Sequence, residues 1–367
     1  MVTVYIHAGT EKTGTSAIQA FLNVNRTILV TQHSCLYPNF FSASLDNPDN
    51  CHNHCCFFVR NKKKFFERIR ESIEYCQHRN IRKLIISCEG LWHYSEIARE
   101  LATIVSGYEN AHLKMVIYFR RQDEWYESSW KQTGHKIAGL SSANDYAENH
   151  DLQWLFHLRK WSEEIGHDNI LVRAYEKIQM PDGLLSDFLS AVGIECGHTN
   201  WNKPVKNDLN EKPGLSRDIL EILFLSKHLY KKAPDQRPIR FFSNNLGQEY
   251  KKKPFEKYQM LSPGQRIHIL ETYDEMNKTI AREYLGREDG RLFYEPWPDP
   301  DEPWEPYEGL NVEKIVPIFI TMMYNIDCQQ KTQVAFLRNK ERSRYSLGSC
   351  VLRIKNRLQS LFSERLQ

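Results

Sequence analysis

The stretch VTVYIHAGTEKTGTSAIQAFL, residues 2–22, decides the fold. Val2 to Ala8 is β-rich and almost continuously apolar, the pattern of a strand buried on both faces of a parallel sheet. A glycine-rich turn from Gly9 to Gly14 follows, and from Ser16 onward Ile18, Phe21 and Leu22 recur at helical spacing. Strand, turn and helix make half of a βαβ unit. Working outward, Lys83–Ser87 (KLIIS) and Lys114–Phe119 (KMVIYF) read as two more buried strands around a helix at Ser95–Ser106. Asn169–Tyr175 (NILVRAY) reads as a fourth strand, after an aromatic helix at Leu152–Ile165. Strands alternating with helices predict an α/β fold: a central parallel sheet flanked by helices, with further helices toward the C-terminus. Ligands of such open sheets bind outside the carboxyl ends of the strands.

The composition narrows the function classes. With 367 residues, 41% of them apolar, the chain can fill a substantial core. Its 49 basic and 46 acidic residues leave a net charge of +3, so no nucleic-acid partner is expected and anion binding must be local. Val2–Ala8 is too short for a secretory apolar region and no run of about 18 apolar residues occurs, which predicts a soluble cytoplasmic protein. An odd number of cysteines, nine, fits reduced thiols placed mostly in the core.

Beyond about residue 200 the pattern turns helical. Ser262, Pro263 and Gln265 form a capping-box start, Ile267, Leu270, Tyr273, Met276 and Ile280 continue one apolar stripe, and Gly286 closes it. Five prolines among acidic residues and Trp from Pro296 to Pro306 mark a linker or a strapped extended segment. The expected division is a catalytic domain over 1–295 (α/β core 1–200, helical part 201–295), a Pro/acidic linker and helix over 296–330, and a basic helical tail over 331–367. That tail carries nine basic and two acidic residues, a local charge of +7. Val351, Ile354, Leu358 and Leu361 give it an apolar face, suited either to docking on its own protein or to peripheral contact with a membrane surface or an anionic glycan.

The turn itself, Gly9-Thr-Glu-Lys-Thr-Gly-Thr-Ser16, presents backbone amides and a helix N-terminus to a phosphate. A nucleoside-triphosphate loop needs Lys directly after its second glycine, where this chain has Thr15 and Ser16. The lysine comes earlier, at Lys12. Inside the loop it suits a phosphosulfate, where leaving-group charge develops at one bridging oxygen and no metal is required. IHAGTEKTGTSAIQAFL resembles the 5′-phosphosulfate loop of sulfotransferases that use 3′-phosphoadenosine 5′-phosphosulfate (PAPS), particularly a bacterial, carbohydrate-sulfotransferase-like branch with Lys-Thr-Gly-Thr. That resemblance implies a P-loop nucleotide-kinase-like fold, PAPS as co-substrate, adenosine 3′,5′-bisphosphate as product, and a 5′-phosphosulfate held by Lys12, Thr13, Gly14, Thr15 and Ser16, with Gly9 opening the turn.

A second anchor lies at the end of Lys114–Phe119, in Arg120-Arg-Gln-Asp-Glu-Trp-Tyr-Glu-Ser128. An Arg at a strand end and a Ser eight residues on can converge on one phosphate. The family's 3′-phosphate motif is similar in order and spacing, although this chain has Arg121-Gln122 where the family usually has Asn-Pro. Arg120 with Ser128 is the favoured pair and Arg121 the reserve; an Arg pair bound to Asp123 or Glu124 is the plain structural reading. Val172-Arg-Ala-Tyr-Glu176 resembles the family's strand ending in Tyr-Glu, so Tyr175 either borders the adenine or packs in the core.

Transfer to a hydroxyl needs a base at a strand end facing the loop. Glu89, two residues beyond Lys83–Ser87, is that candidate, or else a structural ion-pair partner; the resemblance agrees, since glycan sulfotransferases often carry a Glu at an equivalent place. His7 is read as a packing or hydrogen-bonding residue. Cys51-His-Asn-His-Cys-Cys56 lacks a second ligand pair, so it reads as a loop lining an acceptor pocket, with His52 and His54 as acceptor contacts or a backup base, and not as a metal site. Lys62–Lys64 and Lys251–Lys253 read as solvated faces able to attract an anionic acceptor. The predicted reaction is sulfuryl transfer to a hydroxyl, with a carbohydrate or glycoconjugate as acceptor.

Overall fold

The computed structural model describes residues 1–42, 44–45, 54–134, 140–195, 197, 199–203, 216–226, 242, 245–246 and 259–334. His52, Lys251–Lys253 and the tail from residue 335 on lie outside them.

Val2–His7 forms the first strand, β1, and its residues are buried nearly throughout. Helices α1 (Thr15–Val24) and α2 (Arg26–His33) lead to a short second strand, β2 (Cys35–Leu36). Helices α3 (His54–Arg60) and α4 (Lys62–His78) precede β3 (Lys83–Ser87), and α5 (Ser95–Ser106) precedes β4 (Ala111–Phe119). Then follow α6 (Gln122–Thr133), α7 (Ala143–Asn149), α8 (Trp154–Ile165), β5 (Ile170–Ala174) and α9 (Leu184–Ala191). The strands lie in the order β2-β3-β1-β4-β5 and every pairing is parallel. The α/β class with a central parallel sheet is therefore as the sequence indicates. β1 lies at the centre, with Tyr5 opposite Ile85 of β3 on one side and Lys114 of β4 on the other.

Both sheet faces are covered, which is why the strands are apolar on both sides. Tyr5, Ile85, Val116 and Tyr118 meet Ile18, Phe21 and Leu22 of α1 and Phe188 and Leu189 of α9 in one buried cluster. α4 lies against β1 and β3, while α5 packs on β4 and α8. A buried polar clamp ties this layer together: Tyr118 donates to Asp187 Oδ2 at 2.6 Å, and Arg173 Nε donates to the same oxygen at 3.0 Å. Cys35, Cys76 and Cys88 are buried free thiols, and burial pushes the Cys76 thiol up to about 12.

The capping box at Ser262 is present, with Ser262 Oγ accepting from Gln265 N at 3.3 Å. The single helix expected after it is broken. Pro263–Thr272 and Asp274–Leu285 are separate helices, and Gly286 ends the second in a left-handed conformation. The joint is Tyr273, whose hydroxyl is held 2.6 Å from that of Tyr126 and accepts from Leu152 N at 3.4 Å.

The chain divides into Met1–Lys212 with Gln259–Tyr307, and Pro213–Tyr258 with Glu308–Gln367. These limits differ from the linear division at 200, 295 and 330. The proline-rich strap has no regular structure, yet it belongs to the first unit because it is pinned there. The Glu176 carboxylate accepts from Tyr294 N at 2.6 Å and Glu295 N at 3.1 Å, and Arg121 donates to the Pro296 carbonyl at 2.8 Å. In the second unit, the helix over 312–334 buries Ile318 and Met322, and Asn325 donates to the Asn245 carbonyl at 3.1 Å. Among the described residues no helix is long and apolar enough to cross a membrane.

Candidate active site

Because all five strands are parallel, the segments after β1, β3, β4 and β5 emerge at one edge of the sheet. Hydrogen bonds show how closely they meet. Cys88 N donates to His7 O at 3.0 Å, and Gly90 N to Gly9 O at 3.4 Å. The Thr10 hydroxyl donates to Tyr118 O at 2.7 Å, and Tyr175 N to Phe119 O at 2.7 Å. Glu89, half-buried, therefore stands beside the first residues of the Gly9–Gly14 turn.

The turn is wound tightly. Thr13 Oγ1 donates to Thr10 O at 2.6 Å, closing the turn on itself. Gly14 has φ 77°, and a β-carbon there would come within 2.4 Å of Leu184 and 3.3 Å of the Tyr175 ring. Only glycine fits both demands. Lys12 also has positive φ, 70°, a conformation that costs a lysine about 1–2 kcal/mol. Ala17 N donates to Gly14 O at 2.9 Å, opening α1, so the Thr15 and Ser16 amides have no intrahelical partner. The Thr15 side chain is buried and that of Ser16 is exposed.

Arg120 leaves the end of β4 toward this turn. Its Nη1 donates to the Lys12 carbonyl at 3.4 Å, and its guanidinium lies 5.7 Å from the Tyr175 ring centre. Glu124 Oε2 takes Arg120 Nε at 3.1 Å and Nη2 at 3.0 Å. Ser128 is one helical turn beyond Glu124 on α6, so those two share a face, and Arg120, ahead of the helix, joins it through its ion pair with Glu124. Arg121 differs. It is buried, with Nε 2.8 Å from Asp123 Oδ1, and Asp123 Oδ2 also takes Arg266 at 2.7 Å. That removes Arg121 as the reserve phosphate ligand, because its donors hold Asp123 and the Pro296 carbonyl. The plain structural pairing read from the sequence is thus present for both arginines.

His54 also needs correcting. It is fully buried between the Tyr37 and Phe40 rings, 4.8 and 4.5 Å away. Nδ1 accepts from Ser87 N at 3.0 Å and Nε2 donates to Pro38 O at 2.9 Å, so neither nitrogen is left for an acceptor or a proton. Burial lowers its pKa to about 4. Among the described residues no group of three or more His, Cys, Asp or Glu could hold a metal.

One feature went unread in the sequence. Glu11, inside the turn, lies 3.3 Å from His93 Nε2, both side chains being partly exposed. Burial pushes the Glu11 carboxyl up, but its bond to His93, the charge of His93 and that of Lys12 hold it below its ordinary range. His7, read as a packing or hydrogen-bonding residue, is buried with Nδ1 2.9 Å from Ser87 Oγ, and burial lowers its pKa to about 3.

No family model matches the chain. An uncharacterized protein of Archaeoglobus fulgidus is 28% identical over 178 residues, 47% of this chain and 46% of its own length. The chain thus matches about half the length of that relative. Two solved structures resemble it at a distance. A sulfotransferase from Alicyclobacillus acidocaldarius gives a TM-score of 0.33 at 15% identity, over 64% of this chain and 98% of its own. The sulfotransferase domain of the curacin biosynthetic pathway gives 0.32 at 9% identity, over 74% and 96%.

Proposed function

We propose that this chain is a sulfotransferase that moves the sulfuryl group of PAPS to a hydroxyl of an acceptor, a carbohydrate or glycoconjugate. One observation carries the reading: Lys12 sits inside the glycine turn, ahead of Gly14, and Arg120 reaches the Lys12 backbone at 3.4 Å. A cation in the turn and another at the next strand end suit a nucleotide with two separate phosphate groups. A triphosphate loop instead needs Lys after Gly14, where Thr15 stands.

In this reading the Thr15 and Ser16 amides, with Thr13 and the two glycines, hold the 5′-phosphosulfate at the positive end of α1. Arg120 and Ser128 take the 3′-phosphate, and Tyr175 borders the base. The acceptor oxygen forms its bond to sulfur as the bond from sulfur to the bridging oxygen breaks. The departing electron pair stays on that phosphate oxygen, where Lys12 offsets the charge. Glu89 takes the acceptor proton, and the products are a sulfate ester and adenosine 3′,5′-bisphosphate.

Calorimetry on the unmodified protein tests this reading. Adenosine 3′,5′-bisphosphate is expected to bind at least tenfold more tightly than adenosine 5′-monophosphate, because about 1.4 kcal/mol follows from one charged contact. Stabilisation by ATP with magnesium and none by the bisphosphate would make the chain a P-loop phosphotransferase. Labelled PAPS then separates an enzyme from a nonenzymatic binder: label should appear in a member of a glycan panel, and no transfer across a broad panel counts against the enzyme.

A further inference from the structure

The floor of the Gly9–Gly14 turn contains a hydrogen-bond relay whose direction can be worked out. Gln19 Nε2 lies 3.1 Å from Ser87 Oγ and 3.5 Å from the Ser87 carbonyl oxygen. A carbonyl only accepts, so the amide presents its N–H₂, and Ser87 Oγ is an acceptor toward Gln19. Ser87 is fully buried, and its remaining side-chain partner is His7 Nδ1 at 2.9 Å. Donation to Nδ1 is the direction that gives the buried hydroxyl proton a partner among these side chains, and Nδ1 is then the bare nitrogen. The imidazole proton is then on Nε2.

That Nε2–H is aimed at the turn. It lies 3.2 Å from where a β-carbon on Gly9 would stand, and Thr15 Oγ1 lies 2.8 Å from the same point. His7 is 0% exposed and Thr15 is 2% exposed. Neither His7 Nε2 nor Thr15 Oγ1 has a hydrogen-bond partner. Two buried polar atoms left so at the N-terminus of α1, a helix of 10 residues, destabilise the fold unless something takes their bonds. The ring cannot turn away, because Phe188 and Tyr118 stand edge-on to it at 5.1 and 6.2 Å.

We infer that His7 Nε2–H and the Thr15 hydroxyl form a buried subsite for a single anion oxygen, on the bare side of Gly9. The ligand class is a tetrahedral phosphoryl or sulfuryl group, and the donors are neutral. Their role is to fix the rotation of the anion in the turn. The relay from Gln19 through Ser87 sets the tautomer that makes His7 a donor. The subsite rests on the reading of the turn as an anion cradle, and not on which nucleotide fills it.

Two variants separate this role from mere bracing of β1 against β3. His7→Asn keeps a group at the Nδ1 position facing Ser87 and has nothing at Nε2; His7→Gln reaches the Nε2 position and gives up the Ser87 contact. Affinity for adenosine 3′,5′-bisphosphate is expected to fall about tenfold in His7→Asn and to stay within about threefold in His7→Gln. The reverse order would overturn the subsite. Should either variant fail to fold, ¹⁵N-histidine NMR on the unmodified protein decides: His7 should carry its proton on Nε2, and the Nε2 resonance should move on saturation with adenosine 3′,5′-bisphosphate. A proton on Nδ1, or an unmoved Nε2, refutes the subsite. If the bisphosphate does not bind at all, the sulfotransferase reading falls, and titration with inorganic pyrophosphate and then sulfate tests the subsite alone by the same resonance.

Discussion

Lys12 combines a charged side chain with a backbone conformation that lysine avoids, φ 70°. The two properties can be separated by substitution. On the proposed reading, in which the lysine offsets charge that develops during transfer, Lys12→Ala should lower turnover at least a hundredfold while changing nucleotide affinity only a few-fold. Lys12→Gly should be equally inactive yet no less stable, and up to about 1 kcal/mol more stable in urea, because glycine accepts the left-handed backbone. A Lys12→Gly protein that keeps its turnover would remove the lysine from the chemistry. Arg120 offers the converse experiment. Glu124 competes for its guanidinium at 3.0 Å, so Glu124→Gln should tighten binding of adenosine 3′,5′-bisphosphate about three- to tenfold and leave adenosine 5′-monophosphate unchanged. At this scale the sequence placed Lys12 in a tight turn between β1 and α1, and the turn is there. It was silent on the Glu11–His93 contact, which joins residues from different loops. It misled at His54, because a His beside cysteines looks the same whether a ring faces water or the core.

Among the elements, α6 shows how neighbouring residues divide their roles. Arg121, Asp123 and Arg266 form a buried cluster that braces the helix against the segment at residues 263–266, while Arg120 reaches the Lys12 carbonyl of the turn and pairs with Glu124. Asp123 is fully buried between two guanidinium groups. Asp123→Asn should therefore cost about 3–5 kcal/mol of unfolding free energy, as when one partner of a buried ion pair is removed. Arg120→Ala, losing a pair whose side chains are each 26% exposed, should cost no more than about 1 kcal/mol. Equal losses in urea titrations would mean that the two arginines share one structural role. Four of the five strands could be read to within a residue or three from their apolar centres: Lys83–Ser87 is observed as expected, and Lys114–Phe119 begins earlier, at Ala111, while the two-residue β2 was too short to carry a pattern. The helix break at Tyr273 was not legible, since the apolar stripe runs on through it and its hydroxyl contact with Tyr126 joins residues far apart in the chain.

For the whole molecule, buried histidines set the response to acid. His7 and His54 are neutral in the fold, with pKa values lowered to about 3 and about 4 by burial, against an ordinary value of 6.5. The unfolded chain thus binds more protons than the folded chain below pH 6.5, so stability is complete above that pH and is lost as pH falls toward 4. Each histidine contributes a slope of about 1.4 kcal/mol per pH unit inside that window. Unfolding free energies measured at pH 7, 6 and 5 should fall accordingly, and a flat profile would contradict neutral burial. The sheet could be foreseen from alternating strands and helices. The division of the chain could not, because it depends on which side chains pin the proline-rich strap.

β1 is made first and lies in the middle. It pairs with β3 on one side and with β4, which ends at Phe119, on the other. During synthesis, then, the segment that carries the Gly9–Gly14 turn has both edges unpaired until β3 is made, and one edge open until β4 is complete, more than a hundred residues after β1. Parallel pairing across such separations is slow, and an apolar strand with open edges invites wrong partners meanwhile. A truncated chain ending before Ala111 should aggregate, and its turn should not bind adenosine 3′,5′-bisphosphate, whereas one ending after the α9 segment should gain both solubility and binding. The order of assembly makes the turn competent only after the strands that flank it are in place, although it precedes both of them in the chain.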